Sequence, residues 1–164
     1  MTSKPTAFVL LDIKLEDARA AMAHMVEIQA RQALLRDRHG PLYSVQEHAE
    51  LLALNLQGLY TKLEGIVADL LKEIDGDLPR SESWHKDLLL LAANATQDRP
   101  EVITETTFKL MSELLQFRHV VRSRYATELR PTDVFRNFEH AQALWSALRA
   151  DLAAFVTAFS APGR

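Results

Sequence analysis

The chain has 164 residues, enough for one compact domain over 1–164 and too few for two of ordinary size. Apolar side chains make up 48% and charged ones 25%, with a net charge of −3, so the chain is neither disordered in composition nor globally basic, and any nucleic-acid binding has to come from a local patch. Cysteine is absent, which excludes disulfides, thiolate metal sites and cysteine nucleophiles and accords with a reducing, cytoplasmic setting.

The N-terminal stretch MTSKPTAFVLLDIKLEDAR carries only a short apolar patch, followed at once by acids and by no small-residue cleavage signal. No signal peptide is expected. No apolar run reaches the roughly 18–20 residues of a membrane span, so no membrane association is expected. Breaks fall at HGP (39–41), DGDLP (75–79), DRP (98–100) and RPTD (130–133). Between them the chain is rich in Leu, Ala and Glu, which favours helix throughout.

Five helices are expected in order, near 6–37, 44–74, 83–96, 100–128 and 133–159, forming an all-α bundle. The second opens with Ser44 and has Glu47 three residues on, the pattern of a capping box. Val45, Ala49, Leu52, Leu56, Leu59, Leu63, Ile66, Leu70 and Ile74 then repeat at steps of three and four, which keeps one face apolar. Tyr60 and Glu64 lie four apart on this helix and face the same way, a spacing most often found in surface pairs. In the third, His85 follows Trp84 at the helix start, where such a pair usually packs or caps. Pro100 suits the first turn of the fourth helix, where its missing N–H costs nothing. The fifth repeats the apolar pattern through Phe138, Ala141, Trp145, Leu148, Leu152, Phe155 and Phe159.

The fourth helix carries the unusual feature. Residues 117–125 read FRHVVRSRY, three arginines, a histidine and a tyrosine with no acid among them. At about 100° per residue, Ile103, Leu110, Leu114, Phe117 and Val121 share one face, with Met111 and Leu115 flanking it. Arg118, Arg122 and Tyr125 run along the shoulder of that stripe. An arginine among apolar neighbours needs an anion or other acceptors, since its charge cannot be shed. The partner is either an internal carboxylate (Glu64, Glu113 or Glu128) or a phosphate from outside. A stripe this wide also points to a second subunit or a further helix against it. His24, His39, His48 and His140 show no His-x3-His spacing, so no metal site is expected, nor any cofactor. No GxSxG, phosphate-loop or dinucleotide fingerprint occurs.

Three blocks in order, LYTKLEGI (59–66), SWHKDLLLL (83–91) and LLQFRHVVRSRYATEL (114–129), together resemble the HepT-like branch of the HEPN ribonucleases, helical toxins of bacterial toxin–antitoxin pairs. The resemblance covers about residues 45–130, and it is the order and spacing of the blocks that carry it. The family's signature is an arginine, a polar residue, three more residues, a histidine, one residue and a tyrosine. Arg118 takes the arginine place, His119 the polar place and Tyr125 the tyrosine place. The histidine place holds Ser123, a hydroxyl that cannot titrate near neutral pH.

What the resemblance implies is a metal-independent endoribonuclease. The RNA 2′-hydroxyl attacks its own phosphate and leaves a cyclic phosphate end, Arg118 stabilises the phosphorane, and His119 moves protons in place of Ser123. Arg122, Ser123 and Arg124 would contact RNA phosphate, with Tyr60, Glu64, Trp84 and His85 in support. The implied partner is a minimal nucleotidyltransferase antitoxin that transfers AMP to Tyr125, and the implied assembly is a homodimer. Two other readings stay open: a degenerate HEPN dimer that binds the nucleotidyltransferase or RNA without cleaving it, and a helical oligomerisation domain whose arginines pair internally.

Overall fold

In a computed structural model the chain is described over residues 6–40, 44–123 and 129–160. Among the described residues there are five helices and no strand: α1 (Thr6–His39), α2 (Val45–Asp75), α3 (Trp84–Ala92), α4 (Glu105–Ser123) and α5 (Pro131–Phe159). The all-α expectation therefore holds. None of these helices is long and apolar enough to cross a membrane.

The long α2 is the spine, packing on α1, α3, α4 and α5. Its ends follow the local chemistry. Ser44 Oγ accepts from the Glu47 amide at 3.2 Å while Glu47 Oε2 accepts from the Ser44 amide at 2.8 Å, completing the expected capping box. At the other end Gly76 takes φ +83°, a left-handed turn open to glycine at no steric cost, and its N–H closes on Lys72 O at 3.0 Å. Of the apolar stripe, Ala49, Leu52, Leu56, Leu59, Leu63, Ile66 and Leu70 are buried, whereas Val45 in the first turn is exposed. Lys14 and Lys62 form ion pairs with Asp69 and Asp17, binding the outer edges of α1 and α2 together.

Two boundaries differ from expectation. The third helix stops at Ala92 rather than 96, and the fourth begins at Glu105, so Pro100 stands in a loop and not in a first turn. Arg99 is the reason. Its side chain is fully buried and donates to both Asp75 carboxylate oxygens at 2.8–3.1 Å, and to the carbonyls of Leu91, Asn94 and Pro100 at 3.0–3.1 Å. Those carbonyls are available only when the chain leaves the helix after Ala92. The amides of Val102 and Ile103 then close on Ala92 O at 2.8 and 3.2 Å. Thr104, whose hydroxyl and amide both reach Asp151 on α5, leads into α4.

The α4 stripe is also used differently. Ile103 is buried, but in the loop, and Met111, Leu114, Leu115 and Phe117 are the buried apolar residues of the helix itself, with Leu110 and Val121 only partly covered. This wide surface is met by α5, α2 and α3 of the same chain. Its width is accounted for without a second subunit.

Candidate functional site

The Arg118 face of α4 looks onto α2 and the start of α3, and three helices deliver their side chains to one spot. Tyr60 and Glu64, expected as a surface pair, are instead buried, at 1% and 4% exposure. They sit one turn apart on the side of α2 that faces α3 and α4. Tyr60 O–H donates to Glu64 Oε2 at 2.9 Å. His85 Nδ1 lies 2.6 Å from the same oxygen. A carboxylate oxygen only accepts, so Nδ1 is the donor, and in the neutral form of the ring the lone pair lies on Nε2. That Nε2 faces Arg118 Nη1 at 3.4 Å. Trp84 stacks on the His85 ring with centroids 3.8 Å apart, fixing the imidazole plane from its other side. His85 thus does more than the packing or capping expected of it: a hydrogen bond and a stacked ring hold it in one orientation.

The electrostatics of the spot follow from this arrangement. Burial, reinforced by the Glu64 charge and hydrogen bond and only partly offset by Arg118, pushes the Tyr60 phenol well above its ordinary range. Tyr60 is therefore a permanent donor here. Arg118 is half-buried, and its guanidinium stands 5.8 Å over the Tyr60 ring, a cation–π distance. Among the described residues no carboxylate pairs with it, and its buried Nε has no hydrogen-bond partner. Glu64, the nearest acid, is taken by Tyr60 and His85. Glu113, another acid expected as a partner, lies 2.7 Å from His140 Nδ1 instead. Glu128 lies outside the described residues.

The remaining residues of the cluster are more open. His119 is exposed and meets the edge of His85, with centroids 6.4 Å apart and planes at 80°. Arg122 and Ser123 are exposed at the end of α4, and Ser123 Oγ donates to the carbonyl of Val120 at 3.2 Å. Arg124 and Tyr125 lie outside the described residues. The structure thus unites Tyr60, Glu64, Trp84, His85, Arg118 and His119. What sequence reasoning missed was the linkage among them, since Tyr60 and Glu64 show only a four-residue spacing and His85 is over 20 positions away. No group of three or more His, Asp or Glu able to hold a metal occurs among the described residues. A cleft between α4 and α5, lined by Gln116, Val120, Arg130, Arg136 and His140, does not include Arg118. Gln116 and Val120 lie about 200° around α4 from it.

No curated protein and no solved structure matches the chain. The family described as HepT-like protein matches residues 51–159, which takes in α3, α4, α5 and most of α2, and with them every described residue of the Tyr60–Glu64–His85–Arg118 constellation. By that match over most of its length, the chain belongs to the HepT-like protein family.

Proposed function

We propose that the protein is the toxin of a toxin–antitoxin pair and acts as a metal-independent endoribonuclease. The observation that carries the reading is Arg118, a half-buried guanidinium with no carboxylate partner among the described residues, set beside two imidazoles. A guanidinium left unneutralised in a partly desolvated place attracts an anion with fork geometry, and a phosphodiester supplies one. As the 2′-hydroxyl attacks, charge grows on the non-bridging oxygens, and Arg118 is fixed where that charge develops. His119 supplies a proton-carrying group in reach of solvent. Arg122 and Arg124 extend the basic run along which an RNA backbone would lie.

The same reading includes regulation and assembly. A nucleotidyltransferase antitoxin would attach AMP to Tyr125, seven residues beyond Arg118 in sequence, placing anionic groups against the arginine site. The working form would be a cytoplasmic homodimer. The competing reading, a degenerate module that binds RNA or the nucleotidyltransferase without cleavage, draws on Ser123, whose hydroxyl is turned back onto its own helix and cannot titrate near neutral pH. Incubating the purified chain with RNA in excess chelator, beside Arg118→Ala, separates the two. Fragments ending in cyclic phosphate, lost in Arg118→Ala, are expected; intact RNA with retained binding would favour the degenerate module.

A further inference from the structure

The family signature places its histidine on α4, yet this chain offers a serine there and an imidazole on another helix. We infer that His85 of α3 is the catalytic base, with Glu64 of α2 as its positioning residue and His119 as the complementary acid. The inference rests on the nuclease reading and deepens it.

Three features of the geometry carry it. First, the short Nδ1 contact to Glu64 sets the tautomer, so the basic nitrogen of His85 is Nε2, the one turned toward Arg118. A carboxylate behind an imidazole also stabilises the cation that forms when Nε2 takes a proton. Second, the His85 side chain is 19% exposed, so it is held firmly yet reachable, while the Glu64 side chain beneath it is buried and closed off. Third, His119 stands 6.4 Å away, centroid to centroid, on the exposed side of Arg118's helix. Two imidazoles this close can each reach one apical oxygen of a single phosphoryl group, given a hydrogen-bond reach of about 3 Å. Among the described residues, the charged and titratable groups around His85 are Glu64 and Tyr60 from α2 and Arg118 and His119 from α4.

The step balances without a further reactant. His85 Nε2 takes the 2′-hydroxyl proton as the O2′–P bond forms. The P–O5′ bond breaks, and the departing 5′-oxygen takes a proton from the His119 imidazolium. The products are a 2′,3′-cyclic phosphate and a 5′-hydroxyl, and the two rings return to their starting states by exchange with water. Ser123 has no part in it.

Chemical rescue tests the assignment. The full chain, His85→Gly, His85→Gln and Arg118→Ala are compared on a labelled single-stranded RNA of mixed sequence, with circular dichroism as the check on folding. His85→Gly should lose about 10²–10⁴-fold in cleavage rate and regain roughly tenfold or more with added imidazole, because the vacated space admits the missing base. Folded His85→Gln, whose amide can still donate to Glu64 but cannot take a proton, should lose as much and gain nothing from imidazole.

Cleavage within about threefold of the parent in either folded variant would overturn the inference while leaving the nuclease reading intact. Loss in folded His85→Gly without rescue overturns it too, reducing His85 to a positioning residue. If His85→Gly does not fold, the His85→Gln rate decides. A parent chain that leaves RNA whole, with Arg118→Ala indistinguishable from it, overturns the nuclease reading and the inference together.

Discussion

Arg99 and Arg118 are both drawn off the surface, and the difference between them separates structure from site. Arg99 is fully buried and its guanidinium is saturated, with two carboxylate oxygens and three carbonyls around it. Arg118 is half-buried and under-supplied, with one long contact to an imidazole, one aromatic face and an orphaned Nε. A cation whose every donor is met is a staple. One left short in a partly desolvated place costs stability unless something outside the chain completes it.

Removing each arginine in turn separates the two roles. Arg99→Ala leaves three carbonyls and Asp75, whose side chain is 19% exposed, without their donor; because water can reach Asp75, the cost is about 3 kcal/mol, the lower end for a broken buried pair. In a chain of this size that lowers the thermal midpoint by about 10 °C, readable by calorimetry. Arg118→Ala should instead change stability by no more than about 1 kcal/mol. Its effect is expected in cleavage, a loss of about 10²–10³-fold measured on labelled RNA, the usual result of deleting one charge-stabilising donor. Equal destabilisation by the two substitutions would erase the distinction.

Tyr60→Phe probes the ground between them. It removes one of the two donors on Glu64 Oε2 and leaves His85 bound to it. A hydrogen bond to a charged group contributes about 1.5–3 kcal/mol, so urea unfolding should shift by an amount in that range. His85 would keep its anchor, and cleavage should fall less than tenfold, far less than in Arg118→Ala.

The smallest effect concerns His48, buried like Arg99 but carrying an unpartnered Nδ1; its Nε2 meets Gln29 Oε1 at 3.0 Å. Burial holds its pKa below the ordinary 6.5, so the unfolded chain takes up the proton first as pH falls. Stability is therefore lost as pH drops through and below that ordinary value. Denaturation midpoints at about pH 8 and about pH 6 should differ more in the parent than in His48→Gln, which has no proton to gain.

How far the sequence foretold this is best judged at particular residues. The α2 stripe, the Ser44–Glu47 box and the α5 repeat are local patterns of period and capping, and helices obey them whatever surrounds them. The early end of α3 was not legible, because it depends on where Arg99 finds carbonyls, and no window of residues contains that information. Pro100 was misplaced for the same reason. The Arg118 cluster announced itself by the density of cations without acids. Its wiring did not: that Glu64 would be shared by Tyr60 and His85, and so withheld from Arg118, is a matter of how three helices dock. The breadth of the α4 stripe was legible, but its meaning was not, since α2, α3 and α5 together cover it.

The single oxygen Oε2 of Glu64, met by Tyr60 from its own helix and by His85 from α3, with Arg118 closing in from α4, has a temporal consequence. No one helix contains a working set of these groups, so the candidate site comes into being only when the bundle locks together. A nascent chain still emerging, or one loosened by heat, would hold the same residues and no site. For a protein proposed to destroy RNA in the cell that makes it, the packing itself would then serve as a safety catch, released last.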